Sequence, residues 1–307
     1  MPDCDVTWST RSGGDVAARS GPTVRRRRLG LELRQLREAA GLTAAEAAKA
    51  IRGSEAKISR MENGLVSFRA IDVSDLLHAY GITDDARREA ILALAKETRQ
   101  PGWWHTYGDV VPRWFEVYVG LEAEASYIAT FEVLLVPGLL QTADYARAVM
   151  QAATPQVSDA EIDRAVELRL GRQKVLTADP PPQLWVILDE AAVRRTVGGP
   201  DVMRAQLAHL IDISRRPGIT IQVLPFHLGA HAGMGGSFVL LGFPDGDNAP
   251  EIVYIDQATG SLYLDRPGDV SQYRERMDRL RASAYDENAS RRVIADAMEG
   301  TDDDHAT

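Results

Sequence analysis

Between Leu42 and Gly64 the chain reads LTAAEAAKAIRGSEAKISRMENG, where local signals define two short helices and the turn between them. Thr43 and Glu46 form a T-x-x-E capping box, which satisfies the free amides of a helix opening at Ala44. Ala47, Ala48 and Ile51 recur along it at helical spacing, and Gly53 supplies the backbone freedom expected of a sharp turn. Ser54 is a good N-cap for the second helix. There Ile58 and Met61 fall on one side, leaving Glu55, Ala56, Lys57, Ser59 and Arg60 on the others. Asn63-Gly64 closes it with residue types that tolerate a left-handed backbone. One face is built to pack and the other to be presented.

A short Ala-rich helix lets a second helix cross it closely, as a helix-turn-helix must do to push its second helix into a major groove. A plain helical hairpin is the competing reading. The flanks favour the former: Leu29, Leu33, Leu36 and Ala40 stripe a helix from about Arg25 to Ala39, ended by Gly41. Ile71 to Tyr80 and Asp84 to Thr98 read as two more helices, punctuated by Gly81.

This helical stretch, with L-R-x-L-R-E-x-x-G-L-T leading in and M-E-N-G leading out, resembles the Cro and phage-repressor (Xre) family of DNA-binding domains. The resemblance implies that Glu55, Ala56 and Arg60 read base edges in double-stranded DNA. Lys57, Asn63 and the backbone from Leu65 to Arg69 would then lie near phosphates, and Arg37 and Glu62 would form a structural pair. Many relatives carry Gln directly after the Thr cap; Ala44 stands here, and a methyl cannot donate a hydrogen bond to phosphate. Affinity therefore leans on charge, and Arg52, Arg69 and the run Arg25, Arg26, Arg27 and Arg28 join the expected phosphate contacts. That run also admits a plainer reading as a solvated helix start.

The charge distribution suits DNA binding confined to one surface. The chain has a formal net charge of −9, yet residues 25–69 hold eleven Lys or Arg against five Asp or Glu. Residues 101–307 hold 18 against 30, so the acidic remainder is repelled from the phosphate backbone. Cys4 is the only cysteine, which excludes an intrachain disulfide or a thiolate metal site and fits a reducing cytoplasm, close to the nucleoid. No apolar run approaches the length a bilayer requires, and no signal core is present, so no membrane association is expected. Residues 1–24 read as a disordered tail.

After Gln100-Pro101-Gly102 the stretch 101–118 concentrates Trp103, Trp104, Tyr107, Trp114, Phe115 and Tyr118. So many aromatics want burial, either plugging a seam between domains or relaying a signal across it. Leu121 to Glu132 reads as helical or mixed. Thr142 opens a helix through Ala152, and Ser158 with Glu161 caps a longer one to about Leu176, burying Ile162, Val166, Leu170 and Val175. Alternation then shifts to strands at Leu184 to Leu188, Ile219 to Leu224, Ser237 to Phe243 and Glu251 to Asp256, with Leu262 to Leu264 as a fifth. A helix from Asp201 to Ser214 between the first two suggests a partly parallel sheet. Helices at Val270 to Ala284 and Arg291 to Met298 close the fold, and 299–307 reads as a second disordered tail.

The expected fold class is α+β: a five-helix domain over 25–100, a connector over 101–118, and a mixed α/β domain over 119–298 with four to five strands. Its segments V-P-G-L-L-Q-T-A-D-Y-A-R-A, G-I-T-I-Q-V-L-P-F and G-A-H-A-G-M-G-G-S-F-V-L-L resemble an uncharacterised domain joined to Xre modules in many actinobacterial regulators. That resemblance implies a transcriptional regulator, often antitoxin-like and encoded beside a small partner protein. A homodimer with a ligand- or partner-sensing C-terminal half is the form expected of it.

Catalysis is not expected. The strand order faintly resembles a phospholipase D fold, but its His-x-Lys strand reads here G-S-F-V-L-L, with neither nucleophile nor phosphate clamp. His227 and His231 sit on a glycine-rich loop, not at helical metal spacing, and Asp189-Glu190 reads as a helix cap. No metal and no cofactor is expected.

Overall fold

The computed structural model describes residues 24–64, 66–98, 103–110, 113–154, 156–243, 251–257 and 260–300. The expected tails over 1–23 and 301–307, and the Leu65 backbone, lie outside these residues.

Five helices form the first unit: α1 Val24–Ala39, α2 Ala44–Ala50, α3 Glu55–Glu62, α4 Ala70–Ala79 and α5 Asp85–Glu97. Leu29, Leu33, Leu36, Ala47, Ala48, Ile58, Met61, Phe68, Val73, Leu76 and Leu77 share its buried core. The expected caps are made: Thr43 and Glu46 exchange both capping-box bonds, and Ser54 accepts from the Lys57 amide. Gly64 takes the left-handed conformation (φ 64°) that ends α3. At the α2–α3 turn, however, Arg52 and not Gly53 adopts positive φ (48°). Gly53 serves instead for close approach, because a Cβ there would lie 3.1 Å from the Lys57 side chain and 3.3 Å from Ile51.

The second unit opens with a 3-10 turn, Trp103–Tyr107, and α6, Arg113–Glu124. Trp104 is buried against Val119 and Leu168, and a Cβ at Gly171 would lie 2.9 Å from the Trp103 ring. Trp104, Tyr107, Phe115 and Tyr118 thus pack within the C-terminal body and form part of it, whereas Trp103 covers Gly171 with its ring but stays 43% exposed, against the expectation of burial. Then come β1 Tyr127–Glu132, α7 Ala143–Ala153, α8 Asp159–Arg172, β2 Gln183–Asp189, α9 Glu190–Arg194, α10 Pro200–Ile213 and β3 Ile219–Leu224. The chain ends with β4 Phe238–Gly242, β5 Ile252–Gln257, β6 Gly260–Leu264, α11 Pro267–Ser283 and α12 Glu287–Gly300.

The sheet has six strands in the order β3-β2-β1-β4-β5-β6, one more than the upper expectation. The additional strand is β1, inside the stretch read as helical or mixed. It is central, parallel to β2 (Tyr127 beside Gln183) and antiparallel to β4 (Tyr127 beside Gly242). Its four inner residues, Ile128 to Phe131, are all buried, so no polar alternation marks it as a strand. Ile128, Val186, Ile221, Val239 and Tyr254 point to one face, covered by α6, α7, α10 and α12. Ala129, Phe131, Ile187, Leu240 and Val253 point to the other, covered by Val270, Met277 and Leu280 of α11. The result is three layers.

Two further corrections concern helix ends. In α8 Ile162 and Val166 are buried as expected, but Leu170 is 37% exposed, while Leu168 and Arg172 turn inward. A polar partner, described below, draws Arg172 in. Helix α12 runs to Gly300, two residues into the expected tail.

In the first unit α1 and α3 touch backbone to backbone. A Cβ on Gly30 would lie 2.5 Å from the carbonyl oxygens of both Met61 and Glu62. Gly30→Ala raises helix propensity by about 0.5–1 kcal/mol, but the clash forces the helices apart, an overpacking cost of about 1–3 kcal/mol. The variant is expected to unfold at lower denaturant than the parent. A rise in the midpoint would show that the two helices are not in contact there.

Candidate functional site

Helix α3 is held from three sides. Ile58 and Met61, both 1% exposed, anchor its inner face. From α1, Arg37 grips Glu62 through Nε and Nη2 at 2.6 and 3.0 Å, and its Nη1 donates to the Leu42 carbonyl at 2.8 Å. The hydrogen bond to Glu62 raises the Arg37 pKa despite the opposing effect of burial. From α4, the buried Asp72 accepts from Lys57 Nζ at 2.8 Å. Nothing in the local sequence marks Asp72, because its partner lies 15 residues away on another helix.

The outer face carries the residues expected to read DNA. Glu55 and Ala56 are exposed in the first turn of α3, at the end where helix amides favour negative charge. Arg60 is partly exposed and donates from Nε to the Ala56 carbonyl at 3.1 Å, so its guanidinium lies along the same face. Arg52 and Arg69 are exposed at the ends of the flanking turns. Asn63 is exposed too, with its amide donating to the Ser59 carbonyl at 2.7 Å. Lys57 differs from the rest, since Asp72 already neutralises its charge. The Arg25 to Arg28 run is the first part of α1, a helix start in backbone form. Of its side chains only Arg26 is among the described residues; it is partly buried, and desolvation lowers its pKa. The side chains of Arg25, Arg27 and Arg28 lie outside them.

The C-terminal half contains a second feature that sequence reasoning missed. A cleft of about 300 Å³ opens on the α6–α8 face of the sheet, at the C-terminal end of β1. Here the strand order reverses, β1 to β3 running one way along the sheet and β4 to β6 the other, and such a switch point is where α/β proteins place binding crevices. Its apolar walls include Phe115, Tyr118, Leu135, Val149 and Tyr254, and its polar groups include Glu132, Gln141, Arg169, Arg172 and Asp256.

Arg172 and Glu122 form a buried bidentate pair at 2.8 and 2.7 Å. Burial works against the Arg172 charge, but Glu122 outweighs it and the pKa rises. Arg169 has a neutral brace: Nη1 donates to Gln141 Oε1 at 2.6 Å, and Gln141 in turn donates to the Val136 carbonyl. Desolvation, reinforced by Arg172, lowers Arg169 to about 10. Burial likewise pushes Glu132 up to about 7, against hydrogen bonds from Thr130 and Ser237.

The other sequence candidates have local partners. Asp189 accepts from the Ala191 amide at the start of α9, and Glu190 accepts from the Phe226 amide and from Arg194. His227 meets the Tyr285 hydroxyl at 3.4 Å, and His231 Nε2 lies 3.8 Å from Asp189.

The Glu132 shift has a signed consequence. A carboxyl whose folded pKa exceeds its unfolded value binds extra protons in the fold, so stability falls as pH rises from about 4.5 to about 7. Glu132→Gln removes that slope. Thermal melts at pH 5 and pH 8 are expected to show the variant gaining on the parent at the higher pH, by up to about 3 kcal/mol; equal gaps at both pH values would refute the shift.

A family model described as a helix-turn-helix domain matches residues 28–90, and one described as a domain of unknown function (DUF5753) matches residues 115–296. Comparison with curated proteins returns no match, and neither does comparison with solved structures. Among the described residues no helix is long and apolar enough to cross a membrane. The first match, together with the capped and outward-facing α3, supports a DNA-binding regulator. The second spans more than half of the chain, and the protein belongs to the DUF5753 family, carrying a helix-turn-helix domain ahead of the family's domain.

Proposed function

We propose that this protein is a sequence-specific transcriptional regulator of the Cro and phage-repressor type. In this reading it works as a homodimer that sets two copies of α3 about 34 Å apart in successive major grooves. The observation that carries it is the presentation of α3: Ile58, Met61, Arg37 and Asp72 fix its inner side, while Glu55, Ala56 and Arg60 share the outer one. A rigidly held helix can aim short side chains at base edges, because little ordering remains to be done on binding.

Arg60 is the residue to read guanine, through the fork of its guanidinium. Glu55 suits a cytosine amine, and Ala56 the methyl of thymine. Arg52 and Arg69, with the Arg25 to Arg28 run, neutralise phosphates around that centre. The C-terminal half acts by binding and not by catalysis, and the cleft at the β1 end favours a small-molecule sensor over the antitoxin-like alternative of a protein partner. The setting is the cytoplasm, at the nucleoid.

Selection of genomic fragments by the full-length protein at two salt concentrations tests the reading. Arg60→Ala is expected to weaken the selected site by about 1–3 kcal/mol and relax the preference at one base pair. Uniform weakening across all sequences would reassign Arg60 to the phosphates. Arg52→Ala and Arg69→Ala are each expected to lower the slope of log affinity against log salt by about 1. Lys57→Ala, whose charge Asp72 already matches, should move that slope less than either; an equal change would place Lys57 at a phosphate.

A further inference from the structure

The cleft at the β1 end holds an arginine that no carboxylate of the fold contacts directly. Two arginines line it, one turn apart on α8, and they are treated differently. Arg172 is spent on Glu122 in a bidentate pair. Arg169 donates to a neutral amide, that of Gln141, and no carboxylate lies within ion-pair distance of it among the described residues. Asp256 on the cleft wall acts on Arg169 through space, but it is a solvent-exposed side chain and makes no direct ion pair with the guanidinium. A partly desolvated cation with only a neutral partner is expensive, and an anion supplied from outside would offset that cost.

The remaining walls describe the rest of such a ligand. Phe115, Tyr118 and Tyr254 lie together, with Tyr118 stacked on Tyr254 at 4.1 Å and tilted against Phe115 at 5.5 Å. Leu135 and Val149 complete an apolar lining suited to a hydrocarbon or aromatic body. The volume, about 300 Å³, is at the small end for ligand pockets. A dianionic phosphate would call for a second uncommitted cation, and Arg172 is already engaged.

We propose that this cleft binds a small monocarboxylate, its carboxylate forked by Arg169 and its apolar body lying against Phe115, Tyr118 and Tyr254. Gln141 positions Arg169 by holding Nη1, which leaves Nη2 and Nε to face the ligand. Glu132 does not repel such a ligand strongly at neutral pH, because burial keeps it partly protonated. The proposal deepens the sensing role above by naming the ligand class.

Calorimetric titration of the full-length protein, without DNA, tests it. The probes are 4-phenylbutyrate and hexanoate, with 4-phenylbutyramide and 4-phenylbutylamine as matched neutral and cationic analogues. The carboxylates are expected to bind about tenfold or more tightly than either analogue. Arg169→Gln is expected to abolish that preference and Arg169→Lys to retain part of it. Should Arg169→Gln fail to fold, Leu135→Phe narrows the cleft from its apolar side and is expected to weaken carboxylate binding by a similar factor. Equal affinity for amide and carboxylate, tighter binding of the amine, or no binding of either carboxylate would overturn the assignment. So would unchanged binding by a folded Arg169→Gln variant. With DNA left out, a failure here is separable from failure of Arg60 to read a base.

Discussion

Arg172 and Glu122 are 8% and 2% exposed and bond each other through two parallel contacts. Much of the C-terminal half is arranged around them. The pair ties α8 to α6, and the Arg172 guanidinium lies 5.0 Å from the Phe115 ring centre and 5.3 Å from that of Tyr118. A Cβ on Gly138 would come within 3.4 Å of Arg172, so the turn after β1 packs directly on the same side chain. Desolvating two charges is costly, and the geometry that offsets it leaves either partner uncompensated if the other is removed, a loss of about 3–5 kcal/mol. The pair also lines both the cleft and a larger groove of about 660 Å³ that includes Trp103 and Tyr107. It is a partition between the candidate ligand cleft and the aromatic turn leading toward the DNA-binding unit.

The first unit uses the same device on a smaller scale. Glu62 and Asp72 are acids at helix–helix crossings, each answered by a long cation from another helix. The methylene stems of Arg37 and Lys57 can cover apolar surface while their heads reach the carboxylates. Packing by Ile58 and Met61 sets the depth of α3, and the two ion pairs set its rotation. Orientation matters more than raw stability for a helix that must aim individual side chains.

The helix-turn-helix was legible because its determinants are local: Thr43 with Glu46, Ser54 with Lys57, and Gly64 at the end of α3 are each decided within a few residues. Intrinsic preference points to Gly53 for the turn, whereas tertiary packing gives the left-handed residue to Arg52 and uses the small size of Gly53 for contact. Strand β1 was hidden because YIATFE is buried on both faces and directly follows a helix, so neither alternation nor a turn announces it. The cleft was hidden for a different reason. Glu122, Gln141, Arg169 and Arg172 acquire meaning only when residues 28 and 50 positions apart meet, and Leu170 read more naturally than Arg172 as the inward side chain.

The central position of β1 also orders events in time. Its parallel neighbour begins at Gln183 and its antiparallel neighbour at Phe238, so the sheet cannot close until most of the chain has been synthesised. The helical unit needs only residues up to Glu97, and its contacts are short in sequence. Local contacts form quickly, and non-local strand pairing is slow. On the ribosome, the DNA-binding unit therefore completes first and exists for a time without the domain proposed to regulate it. During that interval the unpaired edges of β1 are exposed, which makes the nascent sheet, and not the helix-turn-helix, the part most in need of protection from aggregation.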